Sequence, residues 1–426
     1  MGKKSRRPAS NVPSLPNEIK ALIVEQLGIS EDNDTILSLL NTSSDFAQVC
    51  RRELYRHVDF RGKSLSAVKL FTSVIAPRSS RYVLSVALAI PERDDPAVHN
   101  KYAPAHTQSP GESAEEYFDA DGTKPTWRFF AEADTSFARA LASLSNVVTL
   151  NLTVPTHQLD TQEFPLWAST FGTLAGWEGL KHLTIRSADW SQDLPFLDIE
   201  PASRDAAMEA LAPHRHLHTL RLLGIGAFSR GPRRDQSLAE RPIPSLSDLR
   251  ALHLSGFYIS QFMESAVKWG ATNLTHLVLS ERDEGGVEAL QDLLDANNAT
   301  LESLAIRQRG DLDWSESSGP PPAADAFPYL ERLALEIDTG ATPAIVFFSL
   351  LKSVNVVEIG AGDEETVADI LALLRLALVW PKLEELSLAA HGELDDWSEL
   401  YEMCEKRGVE LIPGSDVESD FPCTRP

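Results

Sequence analysis

One phrase recurs along most of this chain and decides what it can fold into: apolar residues at its first, fourth and sixth positions. It reads Val147-x-x-Leu150-x-Leu152, Leu180-x-x-Leu183-x-Ile185, Leu217-x-x-Leu220-x-Leu222, Leu249-x-x-Leu252-x-Leu254 and Leu274-x-x-Leu277-x-Leu279. It returns at Leu301-x-x-Leu304-x-Ile306, Leu330-x-x-Leu333-x-Leu335, Val354-x-x-Val357-x-Ile359 and Leu383-x-x-Leu386-x-Leu388. Related strands stand at Val58-Asp59-Phe60, Val83-x-x-Val86-x-Leu88 and Val409-Glu410-Leu411. Apolar alternation over so few residues is the pattern of a short strand with one buried face. With the middle apolar residue as an anchor, from Val58 to Val409, successive anchors lie 23 to 37 residues apart, except for a gap of 64 after Val86. That gap is about two units.

Amphipathic helices fill the intervals, for example Ile259, Phe262, Met263, Ala266 and Val267, or Val287, Leu290, Leu293 and Leu294. A third is Val367, Ile370, Leu371, Leu374 and Leu378. A parallel strand cannot return without a crossover, so each unit supplies one strand and one helix, and neighbours bury what a single unit would expose. Leucine-rich repeats have a period of ~20–29 residues, which the later units match and the longer ones exceed by insertions. The expected fold class is therefore α/β: a leucine-rich-repeat solenoid over residues 57–412, with a curved parallel sheet and helices on its convex side. Segments 224–247 and 308–328, rich in Gly, Pro, Ser and charge, read as irregular excursions. Residues 92–125 hold eight acids and three bases with no apolar period, which reads as a disordered insertion. Residues 1–13 and 413–426 read as flexible tails, the first of them basic.

Residues 14–56 form a different module. Ser14-Leu15-Pro16-Asn17-Glu18-Ile19 opens a helix, with Pro near the first turn and an acid at the positive end of the dipole. Leu15, Ile19, Leu22, Ile23 and Leu27 make one apolar face on it. The turn-like Ser30 to Asp34 separates it from Ile36, Leu37, Leu39 and Leu40, and Thr42 to Asp45 offers caps to a third helix carrying Phe46, Val49, Cys50 and Leu54. About forty residues bury too little surface to stand alone, so a partner or the adjoining strands must cover part of it.

The order Leu15-Pro16-x-Glu18-Ile19, then Leu39-Leu40, then Ser44-x-Phe46 and Leu54-Tyr55-Arg56-x-Val58-Asp59 resembles an F-box followed by the first strand of the F-box-like leucine-rich-repeat proteins abundant in fungi. The connection Gly28 to Thr35 is longer and more acidic than in that family. The resemblance implies a small three-helix module that docks on a Skp-type adaptor, and through it a cullin ubiquitin ligase, while the repeats hold a protein substrate. Leu15, Pro16, Ile19, Leu22 and Ile23 would then face the adaptor. The alternative is that residues 15–54 simply cap the exposed end of the first repeat.

Charge excludes one large class of function. The chain carries 39 Lys+Arg against 62 Asp+Glu, a net −23, and residues 1–60 balance eight of each, so the excess lies in residues 61–426. Generic nucleic-acid binding is not expected. No stretch of 18 apolar residues exists, and the basic N-terminus leads into no apolar segment, so neither a membrane span nor a signal peptide is expected. Cys50, Cys404 and Cys423 are odd in number and widely spaced, which suits reduced thiols in cytoplasm or nucleus.

Catalytic and cofactor patterns are weak throughout, and no cofactor or metal is expected. Gly360-Ala361-Gly362-Asp363-Glu364-Glu365 follows a strand and precedes a helix, but Glu365 replaces the third glycine and three acids would repel a pyrophosphate. His214, His216 and His218 alternate, yet no nearby Cys or second His cluster completes a metal shell. On the concave face the pattern is more informative. The central units present Arg186, Arg221, Arg307 and Arg332 with His182, His253 and His276, whereas later units present Glu336, Glu358, Glu385 and Glu410. Guanidinium groups suit acidic or phosphorylated segments, so these four arginines are the candidate substrate contacts. The alternative is that they pair with neighbouring carboxylates.

Overall fold

The computed structural model describes residues 15–29, 33–42, 44, 46–90, 120, 127–154, 167–187, 211, 213–225, 245–256, 259–281, 287–308, 322–337, 341–362, 364–376, 378–390 and 397–413. The insertion expected at 92–125 lies outside them apart from Ala120, as do both tails except Pro413 and most of 224–247 and 308–328.

Twelve strands form one parallel sheet in strict chain order. They are β1 (His57–Asp59), β2 (Ser85–Ala89), β3 (Thr149–Val154), β4 (His182–Ser187), β5 (Thr219–Ile225) and β6 (Ala251–Gly256). Then come β7 (His276–Glu281), β8 (Ser303–Gln308), β9 (Arg332–Ile337), β10 (Val356–Gly362), β11 (Glu385–Ala390) and β12 (Glu410–Pro413). The anchors align from strand to strand: Val58 with Val86, Val86 with Leu150, and so through Leu183, Leu220, Leu252, Leu277, Leu304, Leu333, Val357 and Leu386. A slip of one residue would turn a whole strand inside out.

Two readings of the period are corrected. Leu386 pairs with Leu411, not Val409, so the last anchor lies two residues later. Val409 instead completes the C-terminal cap of the helix Ser398–Arg407, where Gly408 takes φ 71°. The Gly408 amide donates to the Glu405 carbonyl at 3.1 Å and the Val409 amide to the Cys404 carbonyl at 2.9 Å, the two bonds of a Schellman cap. The gap of 64 residues is a single crossover rather than two units, because β2 pairs directly with β3. A 16-residue helix, Trp127–Ala142, lies within it.

A recurring backbone bond ties each unit to the next. The carbonyl two residues before an anchor accepts two successive amides of the following unit: Val148 from Lys181 and His182, Lys181 from His218 and Thr219, His218 from Arg250 and Ala251. The same bond recurs from Arg250, Thr275, Glu302, Glu331 and Asn355. Beneath it the anchors and the inner faces of the crossover helices make one apolar cluster running from Phe60 to Val409. Edge-on aromatic contacts close its first end, with Phe60 5.1 Å from Phe71 and 6.2 Å from Phe137 between ring centroids. Asp134 satisfies the start of the neighbouring helix Ala168–Ala175, accepting from the Thr170 amide at 2.7 Å and the Ser169 amide at 3.1 Å.

Before the sheet stand three helices, α1 (Asn17–Ile29), α2 (Asn33–Thr42) and α3 (Ala47–Leu54). They enclose a separate core of Val24, Ile36 and Cys50, with Leu27, Leu39, Leu40, Phe46, Val49 and Leu54 packed around it. Helix α3 starts behind Phe46 with no side-chain cap bond, so the cap expected from Thr42 to Asp45 is not used there.

Candidate functional site

Helix α1 is apolar on two sides, which corrects the expectation of one face. Val24 and Leu27 turn into the three-helix core, and Lys20 is drawn in beside them with its ammonium 5.9 Å from the centre of the Phe46 ring. Leu15, Ile19, Leu22 and Ile23 turn outward, with Leu22 61% exposed and Ile19 43% exposed. Pro16 is exposed beside them, and Leu37 of α2 is exposed too. A core this small accepts only one stripe of the helix. The five residues read from the sequence as adaptor contacts therefore lie together on solvent.

The second surface is the sheet face opposite the anchors. Period-two alternation places three rows of side chains on it, and the register names them. The middle row runs Thr184, Arg221, His253, Val278, Ala305, Ala334, Glu358. One flanking row contains Thr153, Arg186, Leu223, Ser255, Ser280, Arg307, Glu336. The other contains His182, Thr219, Ala251, His276, Ser303, Arg332, Val356, Glu385, Glu410.

All four candidate arginines thus share this face, but they are not equivalent. Arg332 donates from Nε to the Glu358 Oε1 at 2.7 Å and from Nη2 to the same oxygen, and Glu358 is itself buried. Arg307 Nε lies 3.3 Å from the Glu336 carboxylate. Arg186 donates to the Thr153 hydroxyl at 3.0 Å, and its pKa is lowered by burial and then by the nearby Arg61 cation. Arg221 approaches His253. The pairing with neighbouring carboxylates is therefore realised at Arg307 and Arg332. It was not legible residue by residue, because each pair crosses strands more than twenty residues apart.

His253 is a buried histidine in the middle row. Burial, reinforced by the Arg221 and Arg307 cations, pushes its pKa down to about 3. His182 and His276 are also lowered, chiefly by burial, and His182 Nδ1 lies 3.1 Å from the Thr219 hydroxyl. The imidazoles are neutral at neutral pH. In the middle row Val278, Ala305 and Ala334 are buried beside longer neighbours, and with Ala251 they form a small apolar cluster of their own. The middle row of the face is thus small and apolar from β7 to β9 and is covered by the longer side chains beside it.

Other sequence candidates disperse. His214 is buried with its pKa lowered to about 4, whereas His216 is exposed with Nδ1 2.8 Å from the Asp248 carboxylate, and His218 stacks edge-on against His182 at 6.4 Å. Among the described residues no group of three or more His, Cys, Asp and Glu side chains converges as metal ligands do. Gly360 pairs with Glu336 and Ala389 inside the sheet, and β10 extends to Gly362, so its backbone is not turned toward a phosphate. Trp380 is fully buried, donating from Nε1 to the Phe348 carbonyl at 3.1 Å, and Trp167 and Trp177 are buried in the main core. Among the described residues no helix is long and apolar enough to cross a membrane. No protein-family model matches the chain, and no curated protein matches it.

Proposed function

We propose that this chain is a non-catalytic substrate receptor of a ubiquitin ligase, with an F-box-like module at residues 14–56 and a leucine-rich-repeat solenoid after it. The observation that carries the reading is the outward stripe Leu15, Ile19, Leu22 and Ile23 on a helix whose other side already fills its module's core. Exposed apolar side chains clustered on one helix of a small module are the usual mark of a protein interface. A Skp-type adaptor is the partner that the order Leu15-Pro16-x-Glu18-Ile19 suggests, and a cullin would follow through it. The receptor would raise the effective concentration of a bound protein near the transfer machinery without performing bond chemistry itself. The substrate, acidic or phosphorylated in the sequence reading, would lie on the sheet face bearing Arg186, Arg221, Arg307 and Arg332.

The test is capture of purified Skp-type adaptor by the full chain and by a Leu22→Asp, Ile23→Asp variant. Each buried leucine or isoleucine side chain stabilises an interface by roughly 1.5–3 kcal/mol, so the pair of carboxylates should weaken capture by a hundredfold or more. Undiminished capture by a folded variant would remove the reading.

One observation favours a second reading, in which the helices only cap the sheet. Helix α3 leads directly into β1, and the Arg56 carbonyl between them accepts from the Leu84 amide at 2.9 Å and the Ser85 amide at 3.0 Å. That continuity makes α3 a lid on the first strand. It leaves the outward side of α1 unexplained, and a chain that retains partner binding but ignores adaptor would belong to this reading.

A further inference from the structure

The second face of the sheet is sorted by charge. From β4 to β8 the residues that the register places on it include Arg186, Arg221 and Arg307 with His182, His253 and His276, and among the described residues no carboxylate. From β10 to β12 they include Glu358, Glu385 and Glu410, and among the described residues no cation. Strand β9 is the frontier and carries both Arg332 and Glu336. The ion pairs Arg307 with Glu336 and Arg332 with Glu358 sit at that frontier. Outside it Arg186 and Arg221 lie toward one end, where the Asp59 carboxylate of β1 and the Arg61 cation act on Arg186, and Glu385 and Glu410 lie toward the other. In a chain of net −23, five successive strands without a carboxylate on this face are not what composition supplies.

Shape narrows the occupant. Val278, Ala305 and Ala334 make a row of small, buried side chains across β7 to β9, between Arg307 and Glu336 on one side and His276 and Arg332 on the other. Small side chains in the middle, with basic residues on the strands before them and acidic residues on the strands after, suit a slender polypeptide lying across the strands. Neighbouring strands are ~4.8 Å apart, so the six spacings from Arg221 on β5 to Glu385 on β11 cover roughly 29 Å. An extended segment needs about nine residues for that span at ~3.3 Å each.

We propose that this face holds an extended, charge-polar segment of a partner protein, its Asp or Glu side chains over β4 to β6 and its Lys or Arg side chains over β10 to β12. The proposal rests on reading this face as the surface that holds a protein partner, and adds to it the chemistry and spacing of what is held.

The experiment uses the full chain and synthetic peptides followed by fluorescence anisotropy. One peptide joins four glutamates to four lysines through nine Gly and Ser residues, a second joins the same blocks directly, and two more carry one block each. The spaced peptide should bind at least about tenfold more tightly than the directly joined one or either half, since only it engages both ends at once. Arg186→Glu with Arg221→Glu should abolish binding of the acidic half and spare the basic half, and Glu385→Lys with Glu410→Lys should do the reverse. The milder Arg221→Gln and Glu410→Gln should shift the same halves in the same directions, with circular dichroism showing each variant folded. Equal binding of spaced and joined peptides, or equal loss of both halves in either double variant, overturns the polarity. Ser280→Trp adds bulk beside the Val278 to Ala334 row without changing charge. If it alone weakens binding, the face holds a partner and the polarity is wrong. If no variant changes any binding, both readings fall. Sedimentation showing that the chain pairs through this face would overturn the proposal in favour of a second copy as occupant.

Discussion

The sheet and the three-helix module before it solve the same packing problem with opposite results. In the sheet, each anchor from Leu150 to Leu386 is buried, and the apolar cluster continues from strand to strand. In the module, burial is complete only at Val24, Ile36 and Cys50 among the core side chains, and more of α1's large apolar residues face solvent than face the core. Repetition explains the difference. A unit in an array always finds another beside it, whereas three short helices have few partners and leave surface over. The excess is therefore informative on α1 and would be unremarked on a scattered surface leucine.

The contrast should be sharpest in stability. Leu220→Ala removes a fully buried anchor and should cost about 2–5 kcal/mol in chemical unfolding, with the whole sheet affected because the core is continuous. A cost under ~1 kcal/mol would mean that the units collapse around a cavity independently. Acid should expose the next largest effect. His253 and His214 have pKa values of about 3 and about 4 when folded, below the ordinary 6.5 that the unfolded chain regains. The unfolded state thus binds the protons first. The stability present at neutral pH is lost as pH falls below about 6.5, by at most ~1.4 kcal/mol per pH unit for each histidine, and the loss from His253 levels off near pH 3. His253→Gln should flatten the difference in unfolding free energy between pH 6 and 4 relative to the wild type, and a parallel pair of curves would contradict the burial of that imidazole.

How much of this was legible in the sequence depended on whether side chains or backbone did the work. Anchors such as Leu252 and Leu304 are apolar because nothing else fits their place, and they could be read directly. The carbonyl of His218, which ties one unit to the next, asks nothing of its side chain and leaves no trace. Val409-Glu410-Leu411 misled because both ends of the triplet are apolar, and only Gly408 two residues before Glu410 marked the first as a cap residue. The helix Trp127–Ala142 had a signal in Phe129, Phe130, Ala133, Phe137 and Leu141, but it lies in a gap whose length alone reads as about two units. At the candidate site the four arginines could be assigned to one face from alternation alone. Their partners could not, because Glu336 and Glu358 become neighbours only once the register is known.

A smaller effect is expected where backbone alone is at stake. Gly408 has φ 71°, and a Cβ there would meet nothing within 4 Å, so Gly408→Ala should cost only the conformational strain of a left-handed alanine, about 1 kcal/mol in thermal unfolding. A much larger loss would show that the cap, with Val409 seated behind it, governs how β12 closes the end of the sheet.

The smallest stability change should come from the residue on which the proposed function most depends. Leu22 is 61% exposed on α1, so Leu22→Ser removes little buried surface and should move the unfolding free energy by no more than about 0.5 kcal/mol. Val24, two residues away, is fully buried, and Val24→Ser should cost several times more because it puts a hydroxyl into the small core of Ile36 and Cys50. Adaptor capture should rank the two in the opposite sense once each is measured on folded protein: lost in Leu22→Ser and retained in Val24→Ser. That inversion is what separates an interface from a cap. A helix that merely sealed the first strand would lose stability wherever it lost binding, and Leu22→Ser would then either do nothing or unfold the module.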